Sequence, residues 1–297
     1  MHKSVLLHQA IEALNLKKGE TVLDCTINGG GHSLAIIEKI GKRGHLIGID
    51  EDKNALLNAR SRLPEAEAEV ILEESNFREL DRVLLSAKID GVDKVLFDLG
   101  LSSDQLELSG RGFSFKRDEP LLMTFSAIPK LGQLTALEIV NSWDEEEITR
   151  IIRKYGEERF ARRIAEGITE ARKKEIIRTT AELRDIIMSS VPAGYRKGRI
   201  HPATRTFQAL RIAVNDELGA LSEGLTKAAQ SVRKGGRIAV ISFHSLEDRI
   251  VKKYFQELSK SGVFRIIFKK PITPSDNEAK ENPRARSAKL RVVEKIQ

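Results

Sequence analysis

Apolar and polar positions alternate along the first hundred residues in a pattern typical of strands separated by helices. Short apolar runs predict strands at 20–25, 44–49, 68–72 and 94–97. Apolar positions three and four residues apart predict helices at 5–14, 33–40, 54–63 and 77–87. Because predicted strands and helices follow each other in turn, the pattern favours an α/β fold: a parallel sheet with helices on both faces.

The pattern changes after residue 101. A polar loop at 102–131 is followed by long charged helical stretches at 144–190 and 204–231, with a basic loop at 191–202 between them. Strand and helix signals then return at 237–241, 246–258, 263–268 and 289–293, and a polar segment with three prolines, 271–287, is predicted to be mobile. We therefore expect a discontinuous α/β domain, 1–115 and 203–297, interrupted by an all-helical insert, 116–202.

Charge is distributed unevenly along the chain. Residues 1–149 contain 17 basic and 26 acidic residues, whereas residues 150–211 contain 16 basic and 7 acidic ones. A basic block of this kind predicts a polyanionic partner such as nucleic acid, although solvated helix faces are the alternative.

Composition excludes several classes of protein. The one cysteine, Cys25, excludes a disulfide framework and a cysteine-rich metal site, and no histidine–acid cluster has metal-ligand spacing, so no metal is expected. No apolar run approaches eighteen residues, and the start of the chain lacks the features of a signal peptide, so we expect a cytoplasmic protein.

A glycine-rich turn between the first strand and the second helix is the strongest local signal. Asp24 ends the strand, Gly29, Gly30 and Gly31 form the turn, and Asp50 ends the next strand, where a carboxylate can accept hydrogen bonds from ribose hydroxyls. A dinucleotide site prefers a third glycine where Leu34 stands, so S-adenosylmethionine is favoured over a nicotinamide cofactor. Asp24 also suits the ammonium group of that donor.

The third and fourth strands end in further candidate residues. Phe77 can pack on an adenine or belong to the core. Asp98 ends the fourth strand, where methyltransferases of this fold present polar groups, but the two prolines that follow this position in many amino-group methyltransferases are absent.

Several long motifs occur in one order along almost the whole chain. They are Asp24-Cys25-Thr26, Gly30-Gly31-His32-Ser33, Asp98-Leu99-Gly100-Leu101-Ser102-Ser103 with Gln105, Arg111-Gly112-Phe113-Ser114-Phe115, the segment from His201 to Arg211, the segment from Ser242 to Arg249, and Asn282-Pro283-Arg284-Ala285-Arg286-Ser287. On these motifs the chain resembles the RsmH family, also called MraW, of bacterial 16S ribosomal RNA cytidine N4-methyltransferases.

The resemblance implies a fold, a cofactor and a partner. The fold is a Rossmann-like class I S-adenosylmethionine-dependent methyltransferase with a helical insert for RNA. The donor-binding residues it implies are Gly30, Gly31, His32, Asp50, Phe77, Asp98 and Gln105. The implied product is N4-methylcytidine in the decoding region of 16S ribosomal RNA, within the small subunit or a precursor. The sequence does not decide whether the substrate is naked RNA or an assembled subunit. It also leaves open whether the protein is a monomer or a homodimer. The segment Leu121–Ser126 departs from the family pattern, and Asn28 replaces a usual glycine.

Asp98 is the candidate acceptor for the hydrogens of the target amine, because an acceptor there localises the nitrogen lone pair on the amine. It can equally shape only the donor pocket, and a backbone carbonyl in Leu99–Ser102 is the rival acceptor. His244 is read either as a base-contacting or proton-shuttling imidazole or as part of a helix start at which Ser245 and Asp248 form a capping box. The candidate substrate-binding residues are Ser102, Ser103, Arg111, Phe113, Arg199, His201, Arg205, Arg211, Arg284 and Arg286.

Three other functions remain open on the sequence. The first is a methyltransferase for another amine, in a protein or another RNA. The second is a nicotinamide-dependent oxidoreductase, and the third is a non-catalytic RNA-binding module. Stabilisation by one nucleoside cofactor and the salt dependence of RNA binding distinguish them.

Overall fold

A computed structural model describes residues 4–64 and 67–297 of the chain. Its strands are β1 (Thr21–Asp24), β2 (His45–Asp50), β3 (Glu69–Glu74), β4 (Val92–Asp98), β5 (Val232–Ser242), β6 (Phe264–Ile266) and β7 (Lys289–Lys295). Its α-helices are α1 (Leu7–Leu14), α2 (Gly31–Ile40), α3 (Lys53–Arg62), α4 (Leu80–Ser86), α5 (Ser103–Glu107), α6 (Ala136–Ser142), α7 (Glu145–Gly156), α8 (Ala161–Arg172), α9 (Thr180–Ser190), α10 (Ala193–Arg196), α11 (Ala203–Asn215), α12 (Glu217–Ser231), α13 (Ser245–Lys260) and α14 (Asp276–Glu281).

The seven strands form one sheet in the order β3-β2-β1-β4-β5-β7-β6. The five strands from β3 to β5 are parallel, and β7 runs antiparallel to both of its neighbours. This confirms the α/β class predicted from the alternating pattern. The carboxyl ends of β1, β2 and β4 therefore meet at one edge, where open parallel sheets bind ligands.

Both faces of the sheet are covered. Leu46 and Leu96 belong to one apolar cluster with side chains of α1 and α2, whereas Ile47 and Phe97 belong to another with side chains of α4, α12 and α13. Neighbouring residues of a strand point to opposite faces, so these continuous apolar runs are explained by burial on both sides.

The chain divides into two compact units. The α/β unit contains the residues up to Leu101 and those from Leu218 onward, and the helical unit is Ser102–Glu217. The predicted insert, 116–202, lies within the helical unit, whose bounds are wider at both ends. One reason is that α11 packs against α7, where the side chain of Gln208 donates to the carbonyl oxygen of Tyr155 at 3.0 Å, so the helix at 203–215 belongs to this unit and not to the sheet.

Two predicted helical stretches are interrupted. The stretch 144–190 contains three helices, α7 to α9, and Glu157 ends α7 in the left-handed conformation with a φ of 49°. The stretch 204–231 breaks at Asp216, whose φ is 45°. Neither left-handed residue is itself a glycine, and neither break contains a proline; Gly156, the last residue of α7, was the one local signal for the first break.

The segment 271–287 was predicted to be mobile, and the structure corrects this. It contains α14 and a 3₁₀ turn, Pro283–Ser287. The Glu278 carboxylate accepts a hydrogen bond from the Leu6 backbone N–H at 2.7 Å, which ties the segment to the start of the chain. Across the described ranges, no helix is long and apolar enough to cross a membrane.

Candidate functional site

The turn after β1 adopts left-handed backbone conformations at two positions. Asn28 has a φ of 48° and Gly30 a φ of 77°. A side chain on Gly30 would lie 3.3 Å from Cα of Ala59, so the close approach of α3 also favours glycine there. Asparagine tolerates this region of φ better than most residues, which explains how the chain keeps the turn without the usual glycine at position 28.

Asp50 connects the end of β2 to this turn. Its carboxylate accepts hydrogen bonds from the backbone N–H groups of Asn28 and Asp52, each at 2.9 Å. Burial raises its pKa from 3.8 to about 7, although the two N–H donors oppose the shift. Each carboxylate oxygen has a second lone pair, so the group can still accept a hydroxyl donor.

His32, in the first turn of α2, bridges two segments of the α/β unit. Its Nε2 lies 3.1 Å from the carbonyl oxygen of Val5, and its Nδ1 lies 3.3 Å from Oδ2 of Asp98. A carbonyl oxygen can only accept, so Nε2 carries a hydrogen and Nδ1 is the ring nitrogen that faces Asp98. Burial lowers the pKa of His32, but the charges of Asp98 and Asp24 and the Asp98 hydrogen bond outweigh it and raise that pKa above its ordinary value.

Asp98 keeps one acceptor unused. Its backbone N–H donates to Oγ1 of Thr26 at 2.6 Å, and Oδ2 faces His32. Within the described part of the chain, Oδ1 is buried without a hydrogen-bond partner. A buried oxygen of this kind costs stability unless a ligand supplies a donor.

Asp24 is buried beneath the turn. It accepts hydrogen bonds from Oγ of Ser33 at 2.5 Å and from the Thr26 N–H at 3.2 Å. Burial raises its pKa from 3.8 to about 6, against the effect of the Ser33 hydrogen bond and the His32 charge. Asp24, His32, Asp50 and Asp98 thus surround the turn, as a site for a polar, nucleoside-like ligand requires.

The free energy of unfolding is expected to fall as pH rises from 5 to 8. Asp24 and Asp50 have pKa values of about 6 and about 7 in the folded protein against 3.8, and the pKa of His32 is raised above 6.5. The folded state therefore holds protons that the unfolded chain has released. Between the unfolded and folded pKa of each group, its contribution to the free energy of unfolding falls by up to about 1.4 kcal/mol per pH unit. Groups whose pKa is lowered in the folded protein, such as Asp248, change the free energy of unfolding only below about pH 4.

Urea unfolding at pH 5, 6, 7 and 8 measures this dependence. Asp24→Asn and Asp50→Asn should each flatten it, whereas Asp90→Asn, in an exposed bend, serves as the control. Stability that rises across this range would contradict the buried-acid explanation.

Phe77 packs against the core on one side. Its ring lies 5.5 Å from that of Phe97 in an edge-on arrangement, and it is only partly buried. The core interpretation is therefore correct for one edge of the ring, and contact with an adenine stays a prediction.

Gln105 and Ser102 form the start of α5 in the helical unit. Oγ of Ser102 accepts from the Gln105 N–H at 3.1 Å, and Oε1 of Gln105 accepts from the Ser102 N–H at 3.0 Å. This reciprocal capping box occupies the Gln105 carbonyl oxygen. The predicted donor contact of Gln105 and the substrate contacts of Ser102 and Ser103 stay predictions.

Three candidate substrate-binding residues of the helical unit have structural positions instead. Arg111 is 4% exposed and donates to the carbonyl oxygens of Thr124 and Phe125. Phe113 is 6% exposed, with its ring 6.1 Å from that of Phe125. The sequence shows charge and aromaticity but not burial, and the substrate contacts of these two residues stay predictions.

Arg211 is the third such residue. It forms a two-pronged pair with Glu217, with N–O distances of 2.7 and 2.9 Å, and is mostly buried. The guanidinium fork that would bind a phosphate is therefore engaged with a carboxylate.

The other candidate arginines and His201 have more open positions. Arg199 and His201 are exposed, and Arg205 is partly exposed, with its guanidinium 3.3 Å from the carbonyl oxygen of Glu157. In the α/β unit, Arg286 is exposed and Arg284 partly so. Their substrate roles stay predictions.

His244 is the N-cap of α13. Its Nδ1 accepts from the Glu247 N–H at 3.4 Å, and Glu247 accepts in return from the His244 N–H at 3.2 Å. The capping interpretation holds with different partners, because Asp248 instead pairs with Lys289 at 2.9 Å and Arg291 at 2.7 Å. Capping accounts for Nδ1, whereas Nε2 lies 3.2 Å from Oε1 of Glu247, and the catalytic role of His244 stays a prediction.

Several residues of the site were not predicted. Val5, Thr26 and Ser33 each bond to one of the predicted residues. Thr26 and Ser33 lie inside the motifs, and their closeness in sequence to Asp24 and Gly31 could have identified them as residues of the site. The Val5 carbonyl had no sequence signal, because any residue supplies one.

Comparison with known proteins adds to this geometry. The model of the MraW methylase family matches residues 1–296. A ribosomal RNA small subunit methyltransferase H from Sulfurihydrogenibium sp. is 50% identical over 295 residues, covering 99% of each chain. The protein of that name from Brevibacillus brevis is 47% identical over 310 residues, covering 99% of this chain and 98% of the relative. The chain therefore belongs to the MraW methylase family.

Proposed function

We propose that the protein transfers a methyl group from S-adenosylmethionine to N4 of a cytidine in the decoding region of 16S ribosomal RNA. The names of its relatives, at 44–50% identity over nearly the whole chain, support a small-subunit ribosomal RNA substrate. The observation that carries the chemistry is the buried Oδ1 of Asp98, an acceptor with no partner among the described residues. Membership of a methylase family removes the nicotinamide alternative.

The residues at the edge of the sheet fit such a donor. Asp50 would accept from the ribose hydroxyls, and Asp24 would face the ammonium group directly or through water. Gly30 keeps the turn in its left-handed conformation, and Phe77 offers a partly exposed ring. When bound, S-adenosylmethionine supplies a methyl group already activated by its sulfonium, so the chain need only align and desolvate the reactants.

Asp98 would activate the amine. The N4 lone pair of cytosine is delocalised into its ring, and an acceptor for the N4 hydrogens returns electron density to the nitrogen. His32 holds Oδ2 of Asp98, so that Oδ1 is the oxygen left to accept. His32 is thus a positioning residue, with its own orientation fixed by the Val5 carbonyl.

A methyl-transfer assay tests the proposal. The protein is incubated with labelled S-adenosylmethionine and small ribosomal subunits from cells lacking the modification, with naked 16S RNA in parallel, and the product nucleoside is identified by mass spectrometry. N4-methylcytidine at one position is the expected result. Label in protein, or in another nucleoside, would replace the proposal with the alternative of another amine substrate.

Donor affinity is expected to increase about tenfold between pH 6 and pH 8. With a pKa of about 7, the Asp50 carboxyl is about one-tenth ionised at pH 6 and nine-tenths at pH 8, and the carboxylate is the better acceptor for hydroxyls. Calorimetric titration with S-adenosylmethionine measures the affinity. Asp50→Asn should bind weakly at both values, whereas Asp90→Asn should keep the dependence; a flat profile in the unaltered protein would refute this role of Asp50.

A further inference from the structure

We propose that His201 is a stacking platform for an unpaired base of the substrate RNA. The inference rests on the proposed function only in taking RNA as the substrate. It assigns to the His201 ring, in the helical unit, a stacking contact with the face of a nucleobase.

His201 ends a column of three aromatic rings. Phe207 of α11 is 4% exposed and contacts Phe115 edge-on, with ring centroids 5.3 Å apart. Phe115 is partly buried, and His201 stacks on it at 4.6 Å with an interplanar angle of 19°. His201 itself is exposed. The column thus runs from the core of the helical unit to its surface and ends in a supported ring.

The orientation of the His201 ring is fixed by the backbone. Its Nδ1 accepts a hydrogen bond from the Ala203 N–H at 3.2 Å, so the hydrogen of the neutral ring lies on Nε2. Slight desolvation and the charge of Arg184 lower the pKa of His201 below its ordinary value of 6.5, so the neutral ring predominates at pH 7. A neutral ring that is already oriented loses little entropy when a base stacks on it.

Cations flank both members of the stacked pair. Lys197 and Arg199 precede His201 and are exposed, and Lys116 and Arg117 follow Phe115 and are exposed. Arg184 donates to the Phe115 carbonyl oxygen at 3.4 Å, although it also pairs with Asp185. Proteins that bind single-stranded RNA combine positive charge for the phosphates with aromatic rings for the bases. Charge complementarity therefore points to RNA as the occupant.

Equilibrium binding to a fluorescein-labelled single-stranded RNA of twelve nucleotides tests the platform. Stacking on an aromatic side chain predicts that His201→Ala weakens binding about tenfold, whereas His201→Phe stays within about threefold of the unaltered protein. The slope of affinity against salt should not change in His201→Ala, because no phosphate contact is lost. Arg199→Ala is the matched control, two residues away, and should reduce that slope by about one.

A spectroscopic measurement separates stacking from loop packing. His201→Trp is placed in a Trp143→Phe background, so that position 201 carries the protein's one tryptophan. A base that stacks there should quench its fluorescence on addition of the same RNA. Unchanged fluorescence with RNA bound would overturn the platform, as would equal losses of affinity in His201→Phe and His201→Ala.

The outcomes keep the two proposals apart. Methylated small subunits together with full RNA affinity in His201→Ala would reject only the platform. Loss of RNA affinity in His201→Ala without methyl transfer by the unaltered protein would reject only the proposed function. No RNA binding by the unaltered protein at low salt would also reject the platform.

Discussion

Replacing Asp98 with alanine is expected to lower the rate of methyl transfer at saturating donor and RNA by about 10²- to 10³-fold. The substitution removes Oδ1, the buried oxygen without a partner, and also the oxygen that His32 contacts. Donor affinity should change much less, because Asp24 and Asp50 keep their positions. Single-turnover rates and calorimetric affinities for S-adenosylmethionine separate the two effects.

Asp98→Asn sharpens this experiment. The amide can keep its oxygen toward His32, but an NH₂ group then stands where Oδ1 was, and it donates instead of accepting. Turnover should therefore fall as far as in Asp98→Ala, whereas the same change at Asp90, in an exposed bend, should have no effect. Intact turnover with weaker donor binding would show that Asp98 only shapes the pocket, and a backbone carbonyl of Leu99–Ser102 would become the acceptor.

Gly112→Ala should destabilise the helical unit by about 3 kcal/mol or more. Gly112 has a φ of 77°, and an added Cβ would lie 2.3 Å from the carbonyl oxygen of Pro120 and 3.1 Å from Thr180. The first contact is with backbone, which cannot rotate away. The variant thus combines left-handed strain with overpacking.

Gly110→Ala is its matched control. Gly110 has a φ of 67°, but nothing lies within 4 Å of an added Cβ. We expect a loss of about 1–2 kcal/mol from strain alone. Urea unfolding followed by the fluorescence of Trp143, which lies in the same unit, gives both values. Equal losses would show that the contact with Pro120 is relieved by a small backbone shift.

The strands of the α/β unit were largely predictable, since each is a short apolar run and both faces of the sheet are covered. Their order was not. β7 inserts between β5 and β6 by pairing Val293 with Ile238 and Ile266, and no local pattern encodes that partner choice. The strand predicted at 237–241 begins earlier, at Val232, and Gly235 lies inside β5, where the pairing with β4 shifts register.

The residues of the candidate site also divide into those that the sequence could predict and those that it could not. Asp24, Asp50 and Asp98 were found because strand ends of a parallel sheet converge at one edge. The burial of Arg111 and Arg211 could not be predicted, because the sequence does not distinguish an arginine in solvent from one that is packed against carbonyls or a carboxylate. The bond of His32 to Val5 depends on the start of the chain returning to α2, which only the folded structure shows.

The discontinuous path of the chain has a consequence during synthesis. β4 pairs with β1 on one side and with β5 on the other, yet the whole helical unit lies between β4 and β5 in sequence. At about 5–20 residues per second, that interval lasts on the order of ten seconds. Throughout this interval β4 is an open sheet edge, and the side chains of Val95 and Phe97, which are buried in the folded protein, are still exposed. Such edges can pair with strands of other chains, so β4 is open to incorrect pairing until β5 has been synthesised.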